Sequence, residues 1–320
     1  MCILSWEIPG RTMQNFLDML PAGYREAFGI SEILNPECLA SARATAFTWA
    51  ERPGRICLGL NRKYFDEAAA NPNIVAIVAP KTAMSAPPAA GKAVILAEKA
   101  DELFYAIHNA AIHEREKGPA PKREIHPSAK LAPDVKLYGD DIRIGANTEI
   151  REACLLIGPL DIGPDCLIMP GVMLGTDGMF SKRILGRKQH VRHFGGVKIG
   201  RNTVVHAGSN VSRSVNHGEY TTLGDDVNVG IGVNVGHDST VGDGSELSGR
   251  VMLAGRVTVG RECWLGAAAV LSNAITVGDK AKVRIGAVVV EDVPAGADVS
   301  GNFASDHTAR LRAMMQAKRK

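Results

Sequence analysis

The sequence predicts a mainly β protein, in which a parallel β-helix of stacked hexapeptides follows a small α/β unit and precedes a short C-terminal helix. Three observations carry that expectation. Aliphatic residues recur every six positions over about half the chain, glycines number 34 in 320 residues, and aromatic residues make up only 5%. Few rings and many glycines suit thin, repetitive coils better than a bulky core.

Residues 1–117 read as a separate α/β unit. Strand-like aliphatic runs stand at Arg55–Leu60, Ile74–Ala79 and Ala93–Ala97, with helix-like runs near Met13–Leu20 and Ala100–Glu116. Gly118-Pro119-Ala120-Pro121-Lys122-Arg123 reads as a linker into the repeat, assigned to residues 118–300.

The repeat opens weakly at Ile125, Leu131 and Leu137, then gives Ile144, Ile150, Leu156, Ile162, Ile168 and Leu174. From Ile199 to Val289, stepping by six, every ladder position but His217 is aliphatic. A period of six fits neither a helix nor a long strand. It fits short strands joined by tight turns, with three hexapeptides per triangular coil. The residue after the ladder is often glycine (Gly200, Gly224, Gly230, Gly236), which predicts positive φ there. Small residues such as Ser239, Ser245 and Ala269 would fill the corners.

Two breaks interrupt the ladder. Residues 176–196, rich in Lys, Arg and His, predict an extruded loop, and Arg213–Thr222 predicts a smaller excursion carrying His217. After the repeat, Asp306 could cap a helix over Thr308–Lys320, within a basic C-terminal segment 301–320.

Several classes are excluded. A net charge of +3 gives no ground for nucleic-acid binding. The six cysteines form no CxxC pair and read as buried thiols, while the apolar runs are too short to span a bilayer. With no signal-peptide pattern at the start, a cytoplasmic location is expected. His190, His193 and His206 lack a compact ligand spacing, and no acidic partner set is evident, so no metal is expected. The run Gly230–Gly236 resembles a phosphate loop only superficially, because the ladder passes straight through it.

The hexapeptide ladder resembles the left-handed β-helix acyltransferases. Gly171–Gly178, Phe194–Gly200, Val233–Asp238 and Ala254–Gly260 resemble segments of the UDP-3-O-acylglucosamine N-acyltransferase family of lipid A biosynthesis. That resemblance implies a homotrimer that moves an acyl chain from acyl carrier protein to an amino-sugar acceptor. It requires no cofactor beyond the phosphopantetheine thioester as co-substrate. It implies His237 as general base and Gly255, one coil of 18 residues on, as oxyanion donor. It assigns Asn61, Tyr64, Asp177, Gly178 and Phe194 to the acceptor. An acidic carrier protein would dock on the basic tail, through Arg310, Arg312 and Lys318.

The chain departs from the family where Asp238 follows the histidine in place of Asn, where Ala274 stands for a second histidine, and where Leu58 stands for an aromatic. These departures keep open a CoA-thioester donor with another amino sugar or amine as acceptor. A non-catalytic β-helix scaffold is the remaining alternative. His237, two residues after the ladder residue Val235, is expected to point outward, independently of the resemblance.

Overall fold

The computed structural model describes residues 22–84, 86, 91–110, 123–139, 141–301, 306, 308, 312 and 315–317. The helix expected at Met13–Leu20, the linker at 118–122, and Arg310 and Lys318 lie outside the described residues. The chain divides into two compact units: residues 1–123 with 177–197 and 213–220, and residues 124–176 with 198–212 and 221–320.

In the first unit, β1 (Ile30–Leu34), β2 (Ala44–Ala46), β3 (Arg55–Leu58), β4 (Ile74–Ala79) and β5 (Ala93–Ala97) form one sheet, ordered β1-β5-β4-β3-β2. Strand β1 pairs antiparallel with β5, whereas β2 to β5 run parallel. Helices α1 (Ala22–Phe28), α2 (Arg62–Ala70) and α3 (Ala100–Ala110) complete the unit. Strand β5 is buried at all five residues, as a strand covered on both faces requires. Helix α2 was not foreseen. Its start is set by Asn61, whose side-chain oxygen accepts the Tyr64 N–H at 3.1 Å.

Both breaks in the ladder belong to this unit. The first is more ordered than a loop. Ser181–Ile184 and Arg187–His190 pair as an antiparallel hairpin around Leu185-Gly186, both at positive φ. Ile184 and Val191 enter the core with Phe28, Ile95, Leu103 and Phe104, and Val215 of the second excursion joins them. Burial of these aliphatics is why two polar-looking insertions cluster with the α/β unit. His217 is half-buried in the second excursion, off the ladder.

The second unit is a left-handed parallel β-helix. Two- to four-residue strands stack into three parallel sheets, with Val235 on Leu253, Leu253 on Leu271 and Leu271 on Val289. The ladder residues Ile144 to Leu174, Ile199 to Val211 and Leu223 to Val289 are all buried. Each contributes roughly 1.5–3 kcal/mol of transfer free energy, which is realised only when neighbouring coils stack. At the first coil Ile125 remains exposed, as expected of an end with no coil beneath it.

The corners correct one expectation. Of the glycines directly after the ladder, Gly175 has positive φ but Gly200, Gly224, Gly230 and Gly236 do not; in the later coils that conformation falls two residues on, at Asp226, Asp238, Arg250, Arg256, Glu262, Ala268, Ala274 and Lys280, and at Gly232, Gly244 and Gly286. The glycines after the ladder answer to close packing instead. A Cβ on Gly236 would stand 2.5 Å from the backbone of Ala254. Corner hydroxyls bridge coils: Ser239 Oγ donates to the Ala254 carbonyl and accepts the Val257 N–H. Cys154, Cys166 and Cys263 take equivalent corners, two residues before Leu156, Ile168 and Leu265.

At the C-terminus Thr308, Arg312 and Met315–Ala317 are helical and exposed.

Candidate active site

Val235 points into the coil and ends its strand; His237 lies beyond it in the corner, where the turn rather than strand alternation leaves its side chain partly exposed. His237 is followed by a residue in the left-handed region, Asp238 at φ 59°. Aspartate tolerates that region better than most side chains. The turn brings the Asp238 carboxylate back onto its neighbour, with Oδ2 2.7 Å from His237 Nδ1. The Asp238 N–H donates to Thr221 Oγ1 at 2.9 Å, pinning the corner to the preceding coil. Side-chain exposure is 15% for His237 and 8% for Asp238, so the pair is largely shielded from water.

A carboxylate can only accept, so Nδ1 carries the proton and Nε2 holds the lone pair. Nε2 lies over the next coil, 2.5 Å from where a Cβ on Gly255 would stand. Glycine is needed there because any side chain would displace the imidazole. The two amides at this corner differ in engagement. The Arg256 N–H is taken by the His237 carbonyl at 2.8 Å, whereas the Gly255 N–H donates to no backbone carbonyl among the described residues. A ring nitrogen, a carboxylate that orients it and an amide that donates to no backbone carbonyl among the described residues thus meet at one corner. That arrangement can remove a proton from a nucleophile and stabilise an oxyanion.

Beside it, along the sheet face that precedes the corner, runs a polar row. Thr176 Oγ1 donates to Asn210 Oδ1 at 2.6 Å, Asn210 to Asn234 at 3.0 Å, and Asn234 Nδ2 lies 3.3 Å from Met252 Sδ. Farther along the same sheet the outward residues turn apolar, with Met252, Val270 and Val288 exposed on successive strands.

Of the other described sequence candidates, Asn61, Tyr64, Asp177, Gly178 and Phe194 belong to the first unit. The Asn61 side chain is occupied in capping α2, while Tyr64 is exposed beside Lys63. Gly178 is buried, its carbonyl accepting the Phe180 N–H. The Phe194 ring packs 5.1 Å from His108 and under the Arg192 guanidinium. Arg312 is exposed on the terminal helix.

Asp177 makes contacts that sequence reasoning missed. Its Oδ2 lies 3.0 Å from His190 Nε2 and 3.8 Å from His193 Nδ1, and its Oδ1 lies 3.8 Å from Arg213 Nε. An acidic partner for two of the histidines is therefore present, contrary to the spacing argument. His206 stands apart, bonded to Asn228. The signal was hidden because the hairpin, rather than local sequence, brings these residues together.

Burial pushes the thiols of Cys154, Cys166 and Cys263 upward, and that of Cys57 up to about 12, so none of them offers a thiolate nucleophile near neutral pH.

Comparison with known proteins agrees with the repeat. Residues 256–291 match the family model described as hexapeptide repeat of succinyl-transferase. The UDP-3-O-acylglucosamine N-acyltransferase of Paracidovorax citrulli is 28% identical over 172 residues, which is 50% of either chain. The chain thus spans about half the length of the curated relative it matches. Among solved structures, the UDP-N-acetylglucosamine acyltransferase of Francisella novicida is 23% identical, with a TM-score of 0.46 over 60% of this chain and 71% of that one. The enzyme of that name from Campylobacter jejuni is 20% identical, with a TM-score of 0.44 over 62% and 85%. In its repeat, and in sequence over half its length, the chain is similar to the hexapeptide-repeat acyltransferases.

Proposed function

We propose that the protein is an N-acyltransferase that moves an acyl chain from acyl carrier protein to the amine of a UDP-linked 3-O-acylglucosamine. The observation that carries this reading is the 2.7 Å bond from His237 Nδ1 to Asp238, which sets Nε2 as the ring nitrogen with the lone pair, over Gly255. The amine attacks the thioester carbonyl as His237 Nε2 takes its proton. The oxyanion forms against the Gly255 N–H, the C–S bond breaks, and the departing thiolate receives the proton back from the imidazolium. Asp238 holds the ring in the required tautomer and stabilises its charged form. No other cofactor enters the scheme.

Asn61, Tyr64, Asp177, Gly178 and Phe194 are proposed to contact the acceptor, and Arg312 with the tail arginine and lysines the acidic carrier. We further propose a cytoplasmic homotrimer. The described cysteines are free, as suits a reducing compartment, and the exposed Met252, Val270 and Val288 form an apolar stripe suited to a partner face. No described helix is long and apolar enough to cross a membrane.

Incubating the purified full chain with UDP-3-O-acylglucosamine and either acyl carrier protein or acyl-CoA thioesters tests the reading by mass spectrometry of the product. Acylation of the amine from the carrier supports it. Transfer from CoA only, or to other amino sugars only, favours the second reading, to which Ala274 and Leu58 point. No transfer from any thioester leaves the scaffold alternative.

A further inference from the structure

We propose that Asp177, His190 and His193 form a binding site for a divalent transition-metal ion of the zinc type. One ring nitrogen from each histidine and one Asp177 oxygen lie within 4.8 Å of one another. The two imidazoles stack almost parallel, with centroids 5.6 Å apart and planes at 13°. Ligands held at about 2.0–2.1 Å from a tetrahedral zinc stand roughly 3.4 Å apart. The His190–Asp177 pair is already at 3.0 Å, so closure requires a shift of about 1.5 Å at most elsewhere.

The surroundings favour ligation over a plain ion-pair hub. His193 is fully buried at its side chain, and its Nδ1–H donates to the Val191 carbonyl at 2.9 Å. A metal-binding histidine typically donates its second ring N–H to a carbonyl in this way; His193 would then ligate through Nε2, and the Nδ1 that lies 3.8 Å from Asp177 would serve to hold the ring. Asp177 and His190 are exposed, so the site has one rigid wall and one open side through which an ion can enter. Arg213 meets Oδ1 of Asp177 at 3.8 Å and the His193 carbonyl at 3.5 Å, on the opposite edge of the carboxylate from the histidines. Its charge opposes a dication, and its half of the carboxylate is separate from the half that faces the imidazoles. Two imidazoles and a single carboxylate select zinc, cobalt or iron over magnesium and calcium, which take oxygen ligands. An ion there would tie Asp177, where the first excursion begins, to His190 and His193 near its end.

The test uses the full chain without an affinity tag, stripped with a chelator and titrated with Zn²⁺ by calorimetry and with Co²⁺ by visible absorption. About one ion per chain is expected, with cobalt bands of a low-symmetry site. His190→Ala and Asp177→Asn, both at exposed positions, should keep the native circular dichroism spectrum and each weaken binding at least tenfold, since even the groups behind metal ligands are worth 10–100-fold. His206→Ala should bind as the native chain does. Absence of saturable uptake, or equal affinity in the His190 and Asp177 variants, overturns the proposal and leaves the cluster as ion pairs around Asp177.

Discussion

The bond between His237 and Asp238 joins consecutive residues, and it exists because Asp238 adopts φ 59° and turns its carboxylate back. His237→Ala removes the base without touching the ladder. The variant should melt as the native chain does and lose about 10²–10⁴-fold in kcat with donor and acceptor saturating. Retention of more than a third of native activity would take His237 out of the mechanism. A second residue-scale expectation concerns the thiols. Cys57, Cys154, Cys166 and Cys263 are buried and their thiols pushed up, so a thiol reagent near pH 8 should leave these four unmodified until denaturant is added. Among the described cysteines half-buried Cys38 should react first, and peptide mapping that found the coil cysteines labelled in the native state would refute the corner assignment. The sequence made His237 legible through the Val233–Asp238 segment, whereas strand alternation from Val235 alone would have turned it inward. It did not show that Asp238 orients the ring, because that depends on a backbone conformation which Arg256, Ala268 and Lys280 adopt equally in other coils. No residue type marks that position.

At the scale of a coil, the two kinds of corner glycine answer to different constraints. Gly236→Ala drives a methyl to 2.5 Å from the Ala254 backbone and should lower stability by about 1–3 kcal/mol, as overpacking does. Gly232→Ala places its methyl in open space, with its nearest atom 3.8 Å away on the Arg250 side chain. At φ 64° an alanine carries the strain that Ala268 and Ala274 also carry, so a loss of about 1 kcal/mol, from backbone strain rather than from contact, is expected. Equal losses for the two would mean that φ rather than coil spacing governs the glycine after the ladder. Leu253→Asp buries an unpaired carboxylate between coils and should cost about 4 kcal/mol or more; an unchanged melting curve would mean that Leu253 does not face inward. The ladder was legible because one inward aliphatic per six residues is a simple signal. The excursions were legible only as breaks. That Ile184, Val191 and Val215 fill the α/β core could not be read from segments otherwise so polar, and Asp177 meets His193 only once the hairpin has folded.

At the scale of the whole molecule, three sheets of similar construction differ on their outer faces. One sheet presents Thr222, Thr240, Thr258 and Thr276 on successive strands, and another Asn228, Glu246, Trp264 and Lys282. The third presents Asn234, then Met252, Val270 and Val288. Only the third is continuously apolar over three coils, and its Asn234–Val235 strand leads directly into the His237 corner. A solvent-facing apolar row next to a candidate base suits a subunit interface that closes over the thioester and keeps water from it. Val270 is exposed, so Val270→Glu should leave the coil itself intact. It should convert the proposed trimer to monomers in light scattering after gel filtration, because three carboxylates would be brought together against apolar surface. Activity should fall with the trimer if the site is completed between copies. A variant that stays trimeric would place the interface on another sheet, whereas a monomeric variant with native kcat would show that each coil works alone.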